Sequence, residues 1–243
     1  TKSDNSPVTE ADLRAHKILQ AALATSGWPV LSEEGHHADY YTRKSWEYFW
    51  VVDPLDGTKE FIKGNGEFTI NVALVKGQEP VFGVVYSPVL NWLYVGGPGM
   101  GAYKSMQRVT WEELLAQTMR LPARLPETIT VVASRSHGSP ETEALIGKWE
   151  AEHGRIERVS MGSSLKICLV AEGRAHAYPR IAPTMEWDTA AGHAVALGAG
   201  CHMFRVEIVE GMPTWSQPLI YNKENLLNPY FLVCAAPYLC GHA

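Results

Sequence analysis

The stretch Trp50-Val-Val-Asp-Pro-Leu-Asp-Gly-Thr-Lys-Glu-Phe61 decides how the rest of the chain is read. The aromatic and β-branched run from Tyr48 to Val52 predicts a buried strand. Pro54 has no N–H to give to a ladder and is expected to stop it. That puts Asp53 at the strand's carboxyl end, where open α/β folds bind their ligands. Asp56-Gly57-Thr58 then reads as a tight turn, with Gly57 permitting close backbone approach. A short helix starting at Thr58 would aim its free amides at the same space as the two carboxylates. Carboxylates and bare amides at one point suit a divalent metal carrying a phosphate. The plainer alternative is a strand that ends in an ordinary polar turn, and the rest of the chain has to separate the two.

The 243 residues suffice for one large domain or two small ones. A hydrophobic content of 46% and a charged content of 19% are those of a globular protein with an ample core. The net charge of -5 offers no strong positive field and argues against a nucleic-acid-coating protein. A small anionic substrate stays compatible if metal ions bring the local positive charge. Cys168, Cys201, Cys234 and Cys240 lack zinc-type pair spacing and read as reduced thiols of an intracellular protein. No apolar run approaches the roughly 20 residues of a membrane-spanning helix. No signal peptide is visible, and Thr1 opens inside a polar segment as a trimmed chain would. The expected location is the cytoplasm, compatible with peripheral association at the inner membrane face.

Thr1 to Pro7 is a loop by composition. Thr9-Glu-Ala-Asp12 has the form of a capping box ahead of a helix over Leu13 to Thr25, with Leu13, Ile18, Ala21 and Ala22 on one face. On that reading Thr9 and Asp12 only cap. Trp28 to Glu34 is a short extended segment ending in two acids; strand alternation lets at most one of Glu33 and Glu34 reach a site beside Asp53. Phe68–Val75, Val81–Tyr86 and Trp92–Val95 predict an antiparallel meander. Gly97-Pro-Gly-Met-Gly-Ala102 loosely fits a dinucleotide fingerprint, but an extended pattern follows it, so it reads as a hairpin turn. Residues 104–127, with Pro122 and Pro126, suggest a connector, dividing the chain into an α+β half over 1–120 and an α/β half over 121–243. In the second half the pattern predicts strands at Thr128–Ala133 and Val159–Met161. Helices are expected at Pro140–His153, Ser163–Ala171 and Asp188–Leu197, with loops at Tyr178–Arg180 and Thr184–Trp187. Short strands and a Leu226–Pro229 turn close the chain.

Asp53-Pro-Leu-Asp-Gly-Thr58 followed later by Trp187-Asp-Thr-Ala-Ala-Gly192 resembles the inositol monophosphatase superfamily of metal-dependent, lithium-sensitive phosphatases. Ser32-Glu-Glu34 and Pro7-Val-Thr-Glu-Ala-Asp12 fit the same family. Asp56-Gly-Thr-Lys-Glu-Phe61, Ser134-Arg-Ser-His137 and Gly162-Ser-Ser-Leu-Lys166 resemble its 3'(2'),5'-bisphosphate nucleotidase branch, and within that the bacterial CysQ type. The likeness runs from Lys2 to about Pro229; the family's further N-terminal helix has no counterpart in this sequence, which bears on stability and on any dimer contact. The resemblance implies a layered αβαβα sandwich that uses two Mg²⁺ ions. Glu33, Asp53 and the Leu55 carbonyl would hold the first ion, and Asp53, Asp56 and Asp188 the second, with room for a weaker third near Glu33 and Asp12. Oxygen-only ligation favours Mg²⁺ over zinc.

By the same resemblance Thr58 and Asp12 would be a catalytic pair that orients and deprotonates a water, which overrides the capping-only reading of Asp12. The amides of Gly57 and Thr58 would hold the phosphate. Ser164 and Lys166 would contact the substrate's other phosphate, Arg180 would add positive charge, and His137 would lie against the purine. His36, His37 and His193 read as structural or solvated. The implied substrate is adenosine 3',5'-bisphosphate or its sulfated form, taken by a monomer or homodimer. An inositol-1-phosphate or fructose-1,6-bisphosphate phosphatase is the alternative within enzymes. A non-catalytic nucleotide or metal sensor is the alternative outside them, disfavoured by the complete set of acids.

Overall fold

The alternating strands form a sheet, and Asp53 and Asp56 lie in the last residues of its second strand. The structure is a computed structural model, which describes residues 9–107, 109–117, 119–122, 124–133, 139–235 and 239. Its first part runs through α1 (Glu10–Ala24), β1 (Val30–Ser32), α2 (Tyr40–Arg43), β2 (Tyr48–Asp56) and α3 (Thr58–Lys63). Then follow β3 (Thr69–Lys76), β4 (Glu79–Ser87), β5 (Trp92–Gly97), β6 (Gly101–Ser105), α4 (Trp111–Gln117) and β7 (Met119–Leu121). These seven strands lie side by side in sequence order, all antiparallel except the parallel pair β1–β2.

The rest of the chain gives β8 (Thr130–Val132), α5 (Pro140–His153), β9 (Glu157–Val159), α6 (Leu165–Ala171), β10 (Ala177–Arg180) and α7 (Glu186–Gly198). It ends with β11 (His202–Val209), β12 (Met212–Pro218) and β13 (Tyr230–Cys234). The second sheet has the order β12-β11-β13-β10-β8-β9.

Helix α1 packs on β1 and β2, α6 and α7 lie between the sheets, and α5 packs on β12. The result is the expected αβαβα sandwich. One core joins the layers: Phe49, Val51, Ala73 and Val85 meet Val170, Ala191 and Val195, which meet Met203, Phe231 and Val233. Each such buried aliphatic or aromatic side chain contributes roughly 1.5–3 kcal/mol. The small residues of α7 let its backbone come close to the first sheet. A Cβ on Gly83 of β4 would stand 2.2 Å from the Ala191 carbonyl oxygen, so only glycine fits there.

Several expectations are corrected. β2 does not stop at Pro54 but continues to Asp56, because a bulge takes up the proline: Asp53 pairs with Asn71 and Asp56 with Thr69. Residues 104–127 are more than a connector, supplying α4 and the edge strand β7. Tyr178–Arg180 is strand, not loop; Pro179 is tolerated because β10 meets β8 only at Ala177↔Val131, leaving the proline position unpaired on that side. The strand expected at Val159–Met161 ends at Val159, and α7 starts at Glu186, ahead of Asp188.

Helix α1 turns the other way about its axis. Asp12 is buried and Ala15, His16, Leu19 and Leu23 are half-buried, while Leu13, Ile18, Ala21 and Ala22 are exposed. The i, i+3, i+4 stripe is set by Asp12 and by His16 Nδ1, 2.9 Å from Ser32 Oγ. Pro98-Gly99-Met100 is a hairpin turn, as the sequence predicts. Cys168 and Cys201 are buried free thiols, but Cys234 is disulfide-bonded, against the expectation of reduced cysteines. Cys240 lies outside the described residues. No helix among the described residues is long and apolar enough to cross a membrane.

Candidate active site

The bulge in β2 is what assembles the site. Asp53 is fully buried, with Oδ1 accepting the Leu55 N–H at 2.9 Å, and the extra residue rotates Asp56 toward the start of α6. There Asp56 Oδ2 accepts the Ser164 N–H at 2.5 Å and lies 2.7 Å from Ser164 Oγ. Gly57 adopts φ +90, in the left-handed region, and caps α3, so the helix begins at Thr58 as the sequence predicts. From the other half of the chain, the first turn of α7 brings Asp188. Its Oδ2 accepts the Met185 N–H at 2.7 Å, the reciprocal half of a capping box. One carboxylate oxygen each from Asp53, Asp56 and Asp188 falls within 4.8 Å of the others.

Asp12 does two jobs with its two oxygens. Oδ2 accepts the Thr9 N–H (2.9 Å) and hydroxyl (2.5 Å), which is the cap. Oδ1 faces Thr58 Oγ1 at 3.4 Å, inside the fold. The same Thr58 hydroxyl is 3.5 Å from the Leu55 carbonyl oxygen. Glu33 follows β1, its N–H bonding the Val52 carbonyl at 3.0 Å, and its carboxylate abuts Asp53. Glu33 rather than Glu34 is thus the acid that couples to Asp53, in line with the alternation argument.

The electrostatics are those of crowded like charges. Burial holds Asp53 well above the usual carboxylate range, and the charges of Glu33, Asp56 and Asp188 push it further. Asp188 is pushed up to about 8, first by burial and then by Asp56, with the Met185 amide pulling the other way. Around the acids, Thr69 Oγ1, Asn71 Oδ1 and Ser163 Oγ are buried without a hydrogen-bond partner. An oxygen-only donor set in which burial and like charge raise Asp53 and Asp188 fits a hard divalent cation, which supplies the missing counter-charge.

Two cavities meet at this point. One, of about 300 Å³, is lined by Asp56, Gly57, Ser163, Ser164 and Asp188. The other, of about 490 Å³, is lined by Lys63, Asn65, Glu67, Ser139 and Thr142. Glu60, Lys166, Tyr178 and Arg180 line both. Lys166 Nζ is 3.4 Å from the Met161 carbonyl, and burial lowers its proton affinity against the opposing pull of Asp56. Arg180 donates to the Pro183 carbonyl at 3.3 Å, while its Nε is buried without a partner.

Residues 1–230 match the inositol monophosphatase family. The chain belongs to that family. Among curated members it is similar to the 3'(2'),5'-bisphosphate nucleotidase CysQ of Escherichia coli strain K12. The two are 44% identical over 235 residues, covering 96% of this chain and 87% of that one. The namesake of Haemophilus influenzae is 36% identical, over 96% and 81% of the two chains. Among solved structures, CysQ from Bacteroides thetaiotaomicron, a bacterial member of the family, aligns with a TM-score of 0.84 at 51% identity. It covers 96% of this chain and 86% of that one. Staphylococcal IMPase-II shares the fold, with a TM-score of 0.69 at 22% identity, covering 95% and 80%.

Within this family member the structure brings Asp53, Leu55, Asp56, Gly57, Thr58, Ser164 and Asp188 to one place, with Glu33 beside Asp53 and Asp12 beside Thr58. Lys166 and Arg180 stand at the cavity junction. His137 lies outside the described residues. The sequence reading overlooked Thr69 and Asn71. Both are polar positions in an apolar strand, in phase with the buried Ala73 and Val75, so their inward direction was legible from alternation alone.

Proposed function

We propose that this protein is a Mg²⁺-dependent 3'(2'),5'-bisphosphate nucleotidase that hydrolyses adenosine 3',5'-bisphosphate to AMP and phosphate. It would take the sulfated form as a related substrate. The observation that carries the reading is the junction of the two cavities, with Asp53, Asp56 and Asp188 on one side and Lys166 and Arg180 on the boundary. A 3',5'-bisphosphate carries both phosphates on one ribose and needs two anion sites a sugar ring apart. A monophosphate would leave the Lys166–Arg180 side unused.

Glu33, Asp53, Asp56, Asp188 and the Leu55 carbonyl would hold the divalent ions. When bound, the ions supply the positive charge that makes a water easier to deprotonate and a departing ester oxygen easier to release. The chain's own groups do the rest. The Gly57 and Thr58 amides orient the phosphoryl oxygens in line. Asp12 Oδ1 takes a proton relayed through Thr58 Oγ1, an arrangement supported by the 3.4 Å approach of the two and by the engagement of Asp12 Oδ2 with Thr9. Ser164 keeps Asp56 turned toward the cluster. Lys166 and Arg180 receive the second phosphate, and that dianion restores the proton affinity burial takes from Lys166.

Phosphate release measured with Mg²⁺ from adenosine 3',5'-bisphosphate, inositol-1-phosphate and fructose-1,6-bisphosphate in parallel tests the reading. A strong preference for the bisphosphate nucleotide is expected. A preference for either sugar phosphate would overturn the specificity, and silence on all three from folded protein would favour a non-catalytic sensor.

A further inference from the structure

Two residues ahead of Asp188, on the same first turn of α7, Glu186 is fully buried and faces away from the carboxylate cluster. It grips one short loop. Oε1 accepts Lys223 Nζ at 2.5 Å and the Lys223 N–H at 3.0 Å, and Oε2 accepts the Asn222 N–H at 2.7 Å. Arg43, at the end of α2 and 3% exposed, grips that loop from the other half of the chain. Its Nη1 donates to Asn222 Oδ1 at 2.9 Å, while Asn222 Nδ2 returns a bond to the Arg43 carbonyl at 2.8 Å. Further Arg43 N–H groups reach the Lys223 and Glu224 carbonyls and, through Nε, the Ala38 carbonyl at 3.0 Å. Asn222 holds φ +56, a conformation asparagine tolerates better than most residues.

The segment that Arg43 closes is the one that carries Glu33. At its near end His37 Nε2 lies 2.8 Å from the Ser32 carbonyl oxygen, and the His37 ring leans on Trp187 at 5.1 Å between centroids. Glu33 therefore sits inside a span fastened to β1, to the start of α7 and to the 222–224 loop. Asp188 sits on the helix turn that Glu186 fastens to the same loop. The two acids come from opposite halves of the chain, and the Arg43–Asn222–Glu186 chain of bonds is a short buried route between them. We infer that Arg43 and Glu186 are positioning residues that fix the spacing of the Glu33 and Asp188 sides of the carboxylate cluster and so set its affinity for a divalent cation. Buried charged networks of this kind contribute little net stability against an apolar replacement, but they hold one geometry. This inference rests on the metal reading proposed above.

The test is Mg²⁺ alone, titrated calorimetrically and through the melting temperature, into the parent protein and into Lys223→Gln, Glu186→Gln and Arg43→Lys. Positioning predicts about tenfold weaker Mg²⁺ binding in Glu186→Gln and Arg43→Lys, with a correspondingly smaller Mg²⁺-induced rise in melting temperature. A merely structural network predicts a lower melting temperature without metal and an unchanged Mg²⁺ affinity, which would overturn the inference. Lys223→Gln keeps the backbone N–H on Glu186 and alters a side chain that reaches solvent. It separates the same two outcomes if the other variants do not fold. A parent protein that does not bind Mg²⁺ would overturn the metal reading itself, whereas a parent that binds and variants that bind equally would sink the positioning role alone.

Discussion

Helix α6 has a buried polar cluster at each end, and the two settle their charge differently. At its C-terminal end Glu172 accepts Lys104 Nζ at 2.8 and 2.9 Å and the Tyr94 hydroxyl at 2.9 Å, with the ammonium 4.0 Å from the Trp92 ring centroid. Every charge there has an opposite within the fold. At the N-terminal end Ser164 holds Asp56 beside Asp53 and Asp188, and three carboxylates converge on one another. Glu172, Lys104 and Tyr94 are all buried, whereas at the other end only Asp53 is fully buried and Asp56 and Asp188 are half-buried at the wall of a cavity. An internally neutralised cluster ties sheet to helix, whereas an unneutralised one is built to be completed from outside.

The widest separation of the two ends comes from paired substitutions. Asp53→Asn should cut phosphate release on the order of 10³-fold or more, while the metal-free protein melts no lower than the parent, since one of several like charges is gone. Lys104→Met should do the reverse. It strands Glu172 without its partner and costs about 3–5 kcal/mol of stability, with turnover per folded molecule little changed. Thermal melts and phosphate release on the two variants read both effects, and a stable, active pair would erase the distinction.

The comparison sharpens with pH. Asp188 has its proton affinity raised from 3.8 to about 8, so the folded state holds a proton the unfolded chain has lost. That contribution to stability is complete below about 3.8 and disappears as the pH rises toward 8. His193 has the opposite sense. Buried against Tyr221, it is lowered from 6.5 to about 3, so it costs stability as the pH falls from 6.5 toward 3. Between pH 6.5 and 8, therefore, what remains of the His193 titration can only raise stability with pH, and a falling melting temperature in metal-free protein belongs to the acid cluster. Saturating Mg²⁺ should raise the melting temperature and flatten that fall. An identical slope with and without Mg²⁺ would detach the cation from these acids.

The fold was legible wherever local pattern and tertiary demand agreed. The meander, the α5 helix and the Gly97–Gly101 hairpin all follow from alternation and turn chemistry, and α7 from its run of small residues. Legibility failed where a distant partner decided. Pro54 is tolerated because β3 accepts a bulge, and Pro179 because β8 has already ended. The face of α1 is chosen by Asp12 and Ser32 rather than by its most apolar side chains. At the site, the acids were visible as motifs. Arg43 and Glu186 were not, because their meaning lies in a loop far away in sequence that no spacing rule connects to them. The division of Asp12 between cap and site was also beyond pattern, since one residue satisfies both readings with different oxygens.

Ser164 gives the smallest effect and the finest discrimination. The sequence suggested a contact to the substrate's second phosphate, yet its hydroxyl is buried, accepts Asn71 Nδ2 at 2.8 Å, and lies 2.7 Å from both Asp56 Oδ2 and the Asp188 carbonyl oxygen. It has one proton for those two acceptors, and the charged carboxylate is the stronger. Its duty is then to hold Asp56, with the Ser164 N–H as a second tether. Ser164→Ala keeps the amide and loses the hydroxyl, a change of about 1 kcal/mol or roughly fivefold. Acting on Asp56, that loss appears as weaker Mg²⁺ binding with an unchanged KM for adenosine 3',5'-bisphosphate. Acting on a phosphate, it appears as a raised KM at unchanged Mg²⁺ affinity. The two outcomes are exclusive because the carboxylate belongs to the cluster that calls for a cation, whereas the second phosphate is proposed to sit at the Lys166–Arg180 boundary.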